Sequence, residues 1–222
     1  MAPISSAMVN ASPHGPQTPT SLLFAARTKL SESWTGKRKF KFKFLLNRQG
    51  KPVLEFPSNQ TPQIDDLAWD KDNDSLAILT KTHVISIWSM GQRKFQDIEL
   101  ASQKDLACYI SWSATHPVLV VGTEKGSLVF FNRKSQRKIP CISKHGKAVR
   151  HGDWNTEGFL MSASADKMLT VSNHQGDTPF DSFIVKGEPI NVRWCPYQDD
   201  KQKWVACILN QAKLFMFNPV DG

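Results

Sequence analysis

One residue type returns in phase along this chain. Trp69, Trp112, Trp154 and Trp194 lie 43, 42 and 40 residues apart. Each closes a strand-like run: IDDLAW, ACYISW, AVRHGDW and PINVRW. A polar turn follows the first three (DKDND, SATHP, NTEG), and Cys195-Pro196 opens a longer polar insert after the fourth. Next comes a compact apolar run, SLAIL, VLVVGT, FLMSAS or WVACIL, and then a further strand, HVISIW, SLVFFN, MLTVSN or KLFMFN. A weaker last strand completes the first three units, as in KFQDIEL and KIPCIS. Four short antiparallel strands per unit of about 42 residues are the signature of a radially repeated blade, because one blade cannot bury its own faces. The compact second run is apolar on both faces, as a strand lying between neighbouring blades must be. No long window combines helical spacing with caps, so almost no α-helix is expected.

The predicted fold class is therefore all-β. It is a partial β-propeller of about four to five four-stranded blades, not a full seven-bladed ring. Residues 1–36 read as a disordered N-terminal segment. The blades are placed at about 37–60, 61–101, 102–143, 144–186 and 187–222. The run KRKFKFKFLLN alternates Lys39, Lys41 and Lys43 with Phe40, Phe42 and Phe44, which predicts an exposed or edge strand.

Charge narrows the function. The net charge of +8 comes from residues 27–51, with nine basic side chains and one acid, while the rest carries 19 of each sign. The body is neutral with one basic arm. Aromatic rings on one face and lysines on the other cannot grip the same nucleic-acid strand, so no nucleic-acid partner is expected. No apolar run approaches the length that spans a bilayer. The first 26 residues hold no charged side chain, which argues against a secretory signal. Cys108, Cys141, Cys195 and Cys207 form no CxxC pair and read as small buried hydrophobes.

No phosphate-binding Gly loop, HExxH or G-x-S-x-G is present. Asp70, Asp72 and Asp74 imitate the start of a calcium loop, but Ser75 and Lys81 stand where its Gly and Glu belong. No catalytic, metal or cofactor residue is expected, and the chain is not expected to be an enzyme. One basic stretch is a candidate partner-binding surface: Arg133, Lys134, Arg137, Lys138, Lys144, Lys147 and Arg150, with no intervening acid. An acidic partner or an anionic membrane surface would suit it.

Residues 144–173, KHGKAVRHGDWNTEGFLMSASADKMLTVSN, resemble the WD-repeat signature. The resemblance implies a hydrogen-bonded network inside one blade, with His145, Ser162 and Asp166 as three members. Its fourth position is Ser172 here rather than Trp. Trp88 matches the expected Trp of its own unit, with Ser89 in place of Asp. The stretches LAWDKDNDSLAIL, VGTEKGSL, SQRKIPCISKH, DKMLTVSNHQGDT and GEPINVRW resemble the N-terminal propeller of the WD-repeat protein 19 family. That family is a large subunit of intraflagellar transport complex A. The resemblance implies a scaffold for retrograde ciliary transport and ciliary cargo entry. Its partners would be other subunits of that complex and ciliary membrane cargo. It would act in the cytoplasm, basal body, axoneme and cilium or flagellum. Family members continue through more blades, and the first two strands of a first blade have no counterpart in residues 1–36. A truncated chain is therefore expected. A general WD-repeat adaptor unrelated to cilia and a non-functional truncated gene product remain the alternative readings.

Overall fold

The computed structural model describes residues 24–27, 43–46, 52–55, 64–142, 144–196, 203–210 and 213–220. It divides into two units, Met1–Thr61 and Pro62–Gly222. The first holds a three-stranded antiparallel sheet of β1 (Phe24–Arg27), β2 (Lys43–Leu46) and β3 (Pro52–Glu55), with β2 central. Phe24 stands opposite Leu46, and Arg27 opposite Lys43. Within the segment 1–36, expected to be disordered, Phe24–Arg27 forms a strand that pairs with Lys43–Leu46. Of the expected Phe/Lys strand, Lys43 and Phe44 fall in β2, and residues 37–42 lie outside the described residues.

The second unit contains four antiparallel meanders, each opening on one of the phased tryptophans. The second sheet is β4 (Ile64–Trp69), β5 (Ser75–Thr80), β6 (Val84–Ser89) and β7 (Lys94–Glu99). The third is β8 (Ala107–Trp112), β9 (Val118–Thr123), β10 (Leu128–Asn132) and β11 (Arg137–Cys141). The fourth is β12 (Val149–Trp154), β13 (Leu160–Ser164), β14 (Met168–Ser172) and β15 (Phe183–Ile184). The fifth is β16 (Pro189–Trp194), β17 (Val205–Leu209) and β18 (Lys213–Phe217). No α-helix occurs among the described residues. The first strand of each sheet in the second unit slips register at the same place: Ile64/Asp66, Ala107/Tyr109, Val149/His151 and Pro189/Asn191. A bulge of this kind sharpens the local twist, and its fourfold recurrence shows that the repeat extends to backbone geometry.

Burial explains the stacking. β9 and β13 are buried at every position, and β5 at all but Thr80. Side chains alternate across a strand, so such a strand must be covered on both faces. Leu119 and Val121 pack towards the second sheet, while Val118 and Val120 pack towards the fourth. Leu160 likewise faces back, and Met161 and Ala163 face the fifth sheet. Apolar burial at roughly 25 cal/mol per Å² makes these seams the main cohesion between sheets. The four stacked sheets of the second unit form part of a β-propeller. In β18, Leu214 and Met216 are 67% and 56% exposed.

Candidate functional site: seams and turns between the blades

The loop ahead of β12 brings in His145, which is 2% exposed. Its N–H donates to the carbonyl of Gly126 in the third sheet (2.9 Å). Gly126 has φ +88°, and a Cβ there would lie 2.2 Å from the His145 carbonyl oxygen. Only glycine lets the two backbones approach this closely. His145 Nε2 lies 2.9 Å from Ser162 Oγ and 3.2 Å from Thr170 Oγ1, and the two hydroxyls are 2.7 Å apart. Ser162 and Thr170 are partners in the β13–β14 register, so the hairpin itself sets the hydroxyls side by side. Asp166 closes the turn: its carboxylate accepts the N–H of Met168 (2.8 Å) and of Gly146 (2.7 Å). One of its oxygens lies 3.5 Å from His145 Nδ1. Burial holds the His145 imidazole below its usual pKa, and the Asp166 charge opposes that shift. A neutral ring with its proton on Nδ1, towards Asp166, leaves Nε2 to accept from the hydroxyls.

The structure brings His145, Ser162 and Asp166 together and adds a member that sequence reasoning missed. Thr170 supplies the extra hydroxyl. Ser172, where the resemblance expects Trp, is fully buried, and its Oγ has no hydrogen-bond partner. The missed signal was the register of a tight hairpin, which pairs position 162 with 170.

Trp112, Trp154 and Trp194 are buried and pack back onto the preceding sheet, while Trp69 is half-buried. Trp154 meets Phe130 edge-on at 6.3 Å. Trp194 donates its indole N–H to the Asp153 carbonyl (2.9 Å), and its backbone N–H goes to the Asp153 carboxylate (2.8 Å). Trp88 sits in β6 and packs its ring 4.9 Å from Phe95.

The basic stretch is not one surface. Arg133 leaves the third sheet for the DKDND turn of the second. Its guanidinium lies 3.0 Å from Asp70, 3.2 Å from Asp72 and 2.7 Å from Asp74. The turn that imitates a calcium loop thus faces an internal cation. Asp70 also accepts the N–H groups of Asp74 (2.8 Å) and Ser75 (2.9 Å). Lys138 donates to the Glu99 carbonyl (2.7 Å), Lys144 to Gly176 (3.0 Å) and to Thr178, and Arg150 pairs with Glu188 at 3.6 Å. Four of the seven cations therefore reach neighbouring loops or strands, leaving Lys134, Arg137 and Lys147 exposed. Alternation along the chain could not reveal this, because the acceptors lie a blade away.

The next seam carries a different fastening at the equivalent turn. Arg133 follows Asn132, and His174 follows Asn173. The His174 ring stacks on His116 of the third sheet, with centroids 4.0 Å apart and planes 7° apart. Among the described residues no His, Cys, Asp and Glu cluster could hold a metal ion, and no helix is long and apolar enough to cross a membrane. The Cys108 thiol donates to the Val149 carbonyl (3.1 Å), and burial pushes its pKa up to about 12.

Comparison with known proteins bears on this architecture. A family model described as the WDR19 first beta-propeller matches residues 35–222. WD repeat-containing protein 19 of Mus musculus is 34% identical over 165 residues, which is 69% of this chain and 12% of that protein. The Homo sapiens protein of the same name is 35% identical over 156 residues, 68% of this chain and 12% of that protein. WD repeat-containing protein dyf-2 of Caenorhabditis elegans is 33% identical over 137 residues, 60% of this chain and 10% of that protein. The chain thus spans only about an eighth of the mouse and human relatives it matches. With most of its length matched and its sheets stacked as blades, the chain belongs to the WDR19 first beta-propeller family.

Proposed function

We propose that the chain is a non-catalytic, protein-binding scaffold acting within an intraflagellar transport complex of the A type. In this reading it serves retrograde transport and the entry of membrane cargo into the cilium. It works in the cytoplasm, at the basal body and along the axoneme. Its partners are the other subunits of that complex and ciliary membrane cargo. The family match over residues 35–222 is the observation that carries the reading. Trp69, Trp88, Trp112, Trp154 and Trp194, with His145, Ser162 and Asp166, are proposed as structural positions of the blades. The support is the burial of Trp88, Trp112, Trp154, Trp194, His145 and Ser162 and the hydrogen bonds of Trp194, His145, Ser162 and Asp166. Such positions hold a rigid frame from which loops meet partners. Of the basic stretch, Lys134, Arg137 and Lys147 are the members left to face a partner.

Immunoprecipitation of the native protein from its source cells, with an antibody to residues 148–194, tests the proposal. Recovery of intraflagellar transport subunits by mass spectrometry is the expected result. A clean bait with none of them would overturn the ciliary role and leave a WD-repeat adaptor of other purpose.

A further inference from the structure

The turn between the second and third strands of each sheet meets the loop that enters the next sheet, and together they form one rim of the second unit. Backbone hydrogen bonds tie the rim in series. Glu124 N–H donates to the Leu106 carbonyl (2.9 Å), Ala165 to Ala148 (3.0 Å), Val185 to Lys167 (2.9 Å) and Asn210 to Glu188 (2.8 Å), besides the bond from His145 to Gly126. We infer that this rim, from the third sheet to the fifth, rests on an anionic lipid bilayer, with Ile142 and Ile184 entering the interface. The inference deepens the scaffold reading, on which it rests, by giving the scaffold a membrane-facing side.

Charge is the first observation. Lys104, Lys125, Lys147, Lys167, Lys186 and Lys213 all stand exposed along this rim. None of them forms an ion pair among the described residues. The acids beside them are mostly engaged. Asp105 accepts the Lys125 N–H (3.1 Å), Asp166 those of Gly146 and Met168, and Glu188 pairs with Arg150 at 3.6 Å. Glu124 is the exposed acid left. Setting all four acids against the six lysines and Arg150 still leaves three positive charges. On the opposite rim Arg133 and Lys203 are instead tied to Asp70, Asp72, Asp74 and Glu157. Apolar exposure is the second observation. Ile184 and Ile142 are 79% and 71% exposed, more than any other large hydrophobic side chain described. Ile184 stands opposite Met168, next to Lys167, and lies two residues before Lys186. Ile142 follows the end of β11, five residues ahead of Lys147. Apolar tips among lysines match an interface where hydrocarbon lies just beneath anionic headgroups. The third observation is breadth. The lysines sit on loops of three sheets and converge on no single pocket. Mobile lipids gather beneath charges spread in this way, each lysine strengthening adhesion about fivefold. A nucleic-acid strand fits less well, because isoleucine tips give its bases no ring to stack on.

The test is co-sedimentation of the full 222-residue chain with vesicles of phosphatidylcholine and phosphatidylserine, against vesicles of phosphatidylcholine alone. Binding to the anionic vesicles only is expected, fading as salt is added. The paired changes Lys147→Glu and Lys186→Glu should weaken it about tenfold or more, and the gentler Lys147→Gln with Lys186→Gln should act in the same direction. The charge-matched pair Arg93→Glu and Lys94→Glu, exposed away from this rim, should leave it unchanged. Ile142→Ser with Ile184→Ser should weaken it with no change of charge. No binding to the anionic vesicles, equal binding to the neutral ones, or an equal loss in the control pair would each overturn the inference. Binding undiminished in the rim lysine pair belongs to the basic arm at residues 27–51 and overturns it too. A loss in the lysine pair with none in the isoleucine pair assigns the rim to an acidic protein and refutes the membrane. If vesicle binding fails while transport subunits still co-purify, the scaffold reading stands. If vesicles bind through the rim but no transport subunit is recovered, the membrane surface stands without its ciliary role.

Discussion

Replacing Arg133 by Met keeps much of the side chain's bulk and removes its charge. In the parent, the Arg133 side chain is 20% exposed, and its nearest carboxylates are very unequal: Asp70 is 2% exposed, Asp72 and Asp74 39% each. Ion pairs to exposed groups are each worth about 0.2–1 kcal/mol. Stranding a buried charge costs about 3–5 kcal/mol. Asp70 keeps two backbone N–H donors, which places the loss near the lower end, at about 3 kcal/mol. For a protein of this size 1 kcal/mol moves Tm by roughly 2–4 °C, so Arg133→Met should melt about 6–12 °C below the parent. Urea denaturation followed by tryptophan fluorescence gives the free energy directly. Asp70→Asn should cost less, because it strands no charge and Arg133 keeps Asp74, and Asp72→Asn should cost less still and fade with added salt. A loss under about 0.5 kcal/mol for Arg133→Met would refute the argument that this guanidinium holds the seam.

Truncating the edge-on aromatic pair is a second probe: Trp154→Ala should destabilise by about 3–5 kcal/mol, and an unchanged melting temperature would remove Trp154 from the core. Within the His145 network, Thr170→Val should cost about 1–2 kcal/mol by stripping a hydroxyl from a buried cluster. Ser172→Ala should change stability by less than about 0.5 kcal/mol, because its Oγ has no partner to lose; denaturation midpoints of the two variants decide. Stability should also fall on acidification. Burial, with the Arg193 charge adding to it, depresses the His151 pKa from 6.5 to about 4. The unfolded chain therefore binds the proton first, and stability is lost as pH drops from about 6.5 towards 4. His151→Asn should flatten that part of the urea-midpoint profile, and an unaltered slope would assign the acid sensitivity elsewhere.

Some of these residues were legible in the sequence and others were not. His145, Ser162 and Asp166 stood out because a signature places them at fixed spacing within one unit. Thr170 did not, since its role depends on standing opposite Ser162 in a hairpin. The basic stretch was misleading for a related reason. It looks continuous along the chain, yet Arg133, Lys138, Lys144 and Arg150 reach neighbouring loops or strands. The strand at Phe24–Arg27 was not legible because four residues are too few to show periodicity, and their pairing with Lys43–Leu46 supplies it.

The sequence alone determined the all-β class, the blade period and the strands covered on both faces. These follow from alternation at period two and from a tryptophan returning about every 42 residues, both local or strictly repeated features. Only the tertiary structure decided how the seams are fastened: carboxylates on Arg133 at one, stacked His116 and His174 at the next. The partners in the first fastening lie 59 and 61 residues apart. Apolar burial brings the sheets together without regard to which polar side chains then meet. Those meetings depend on the position and angle of one sheet against the next, which no single stretch of chain encodes.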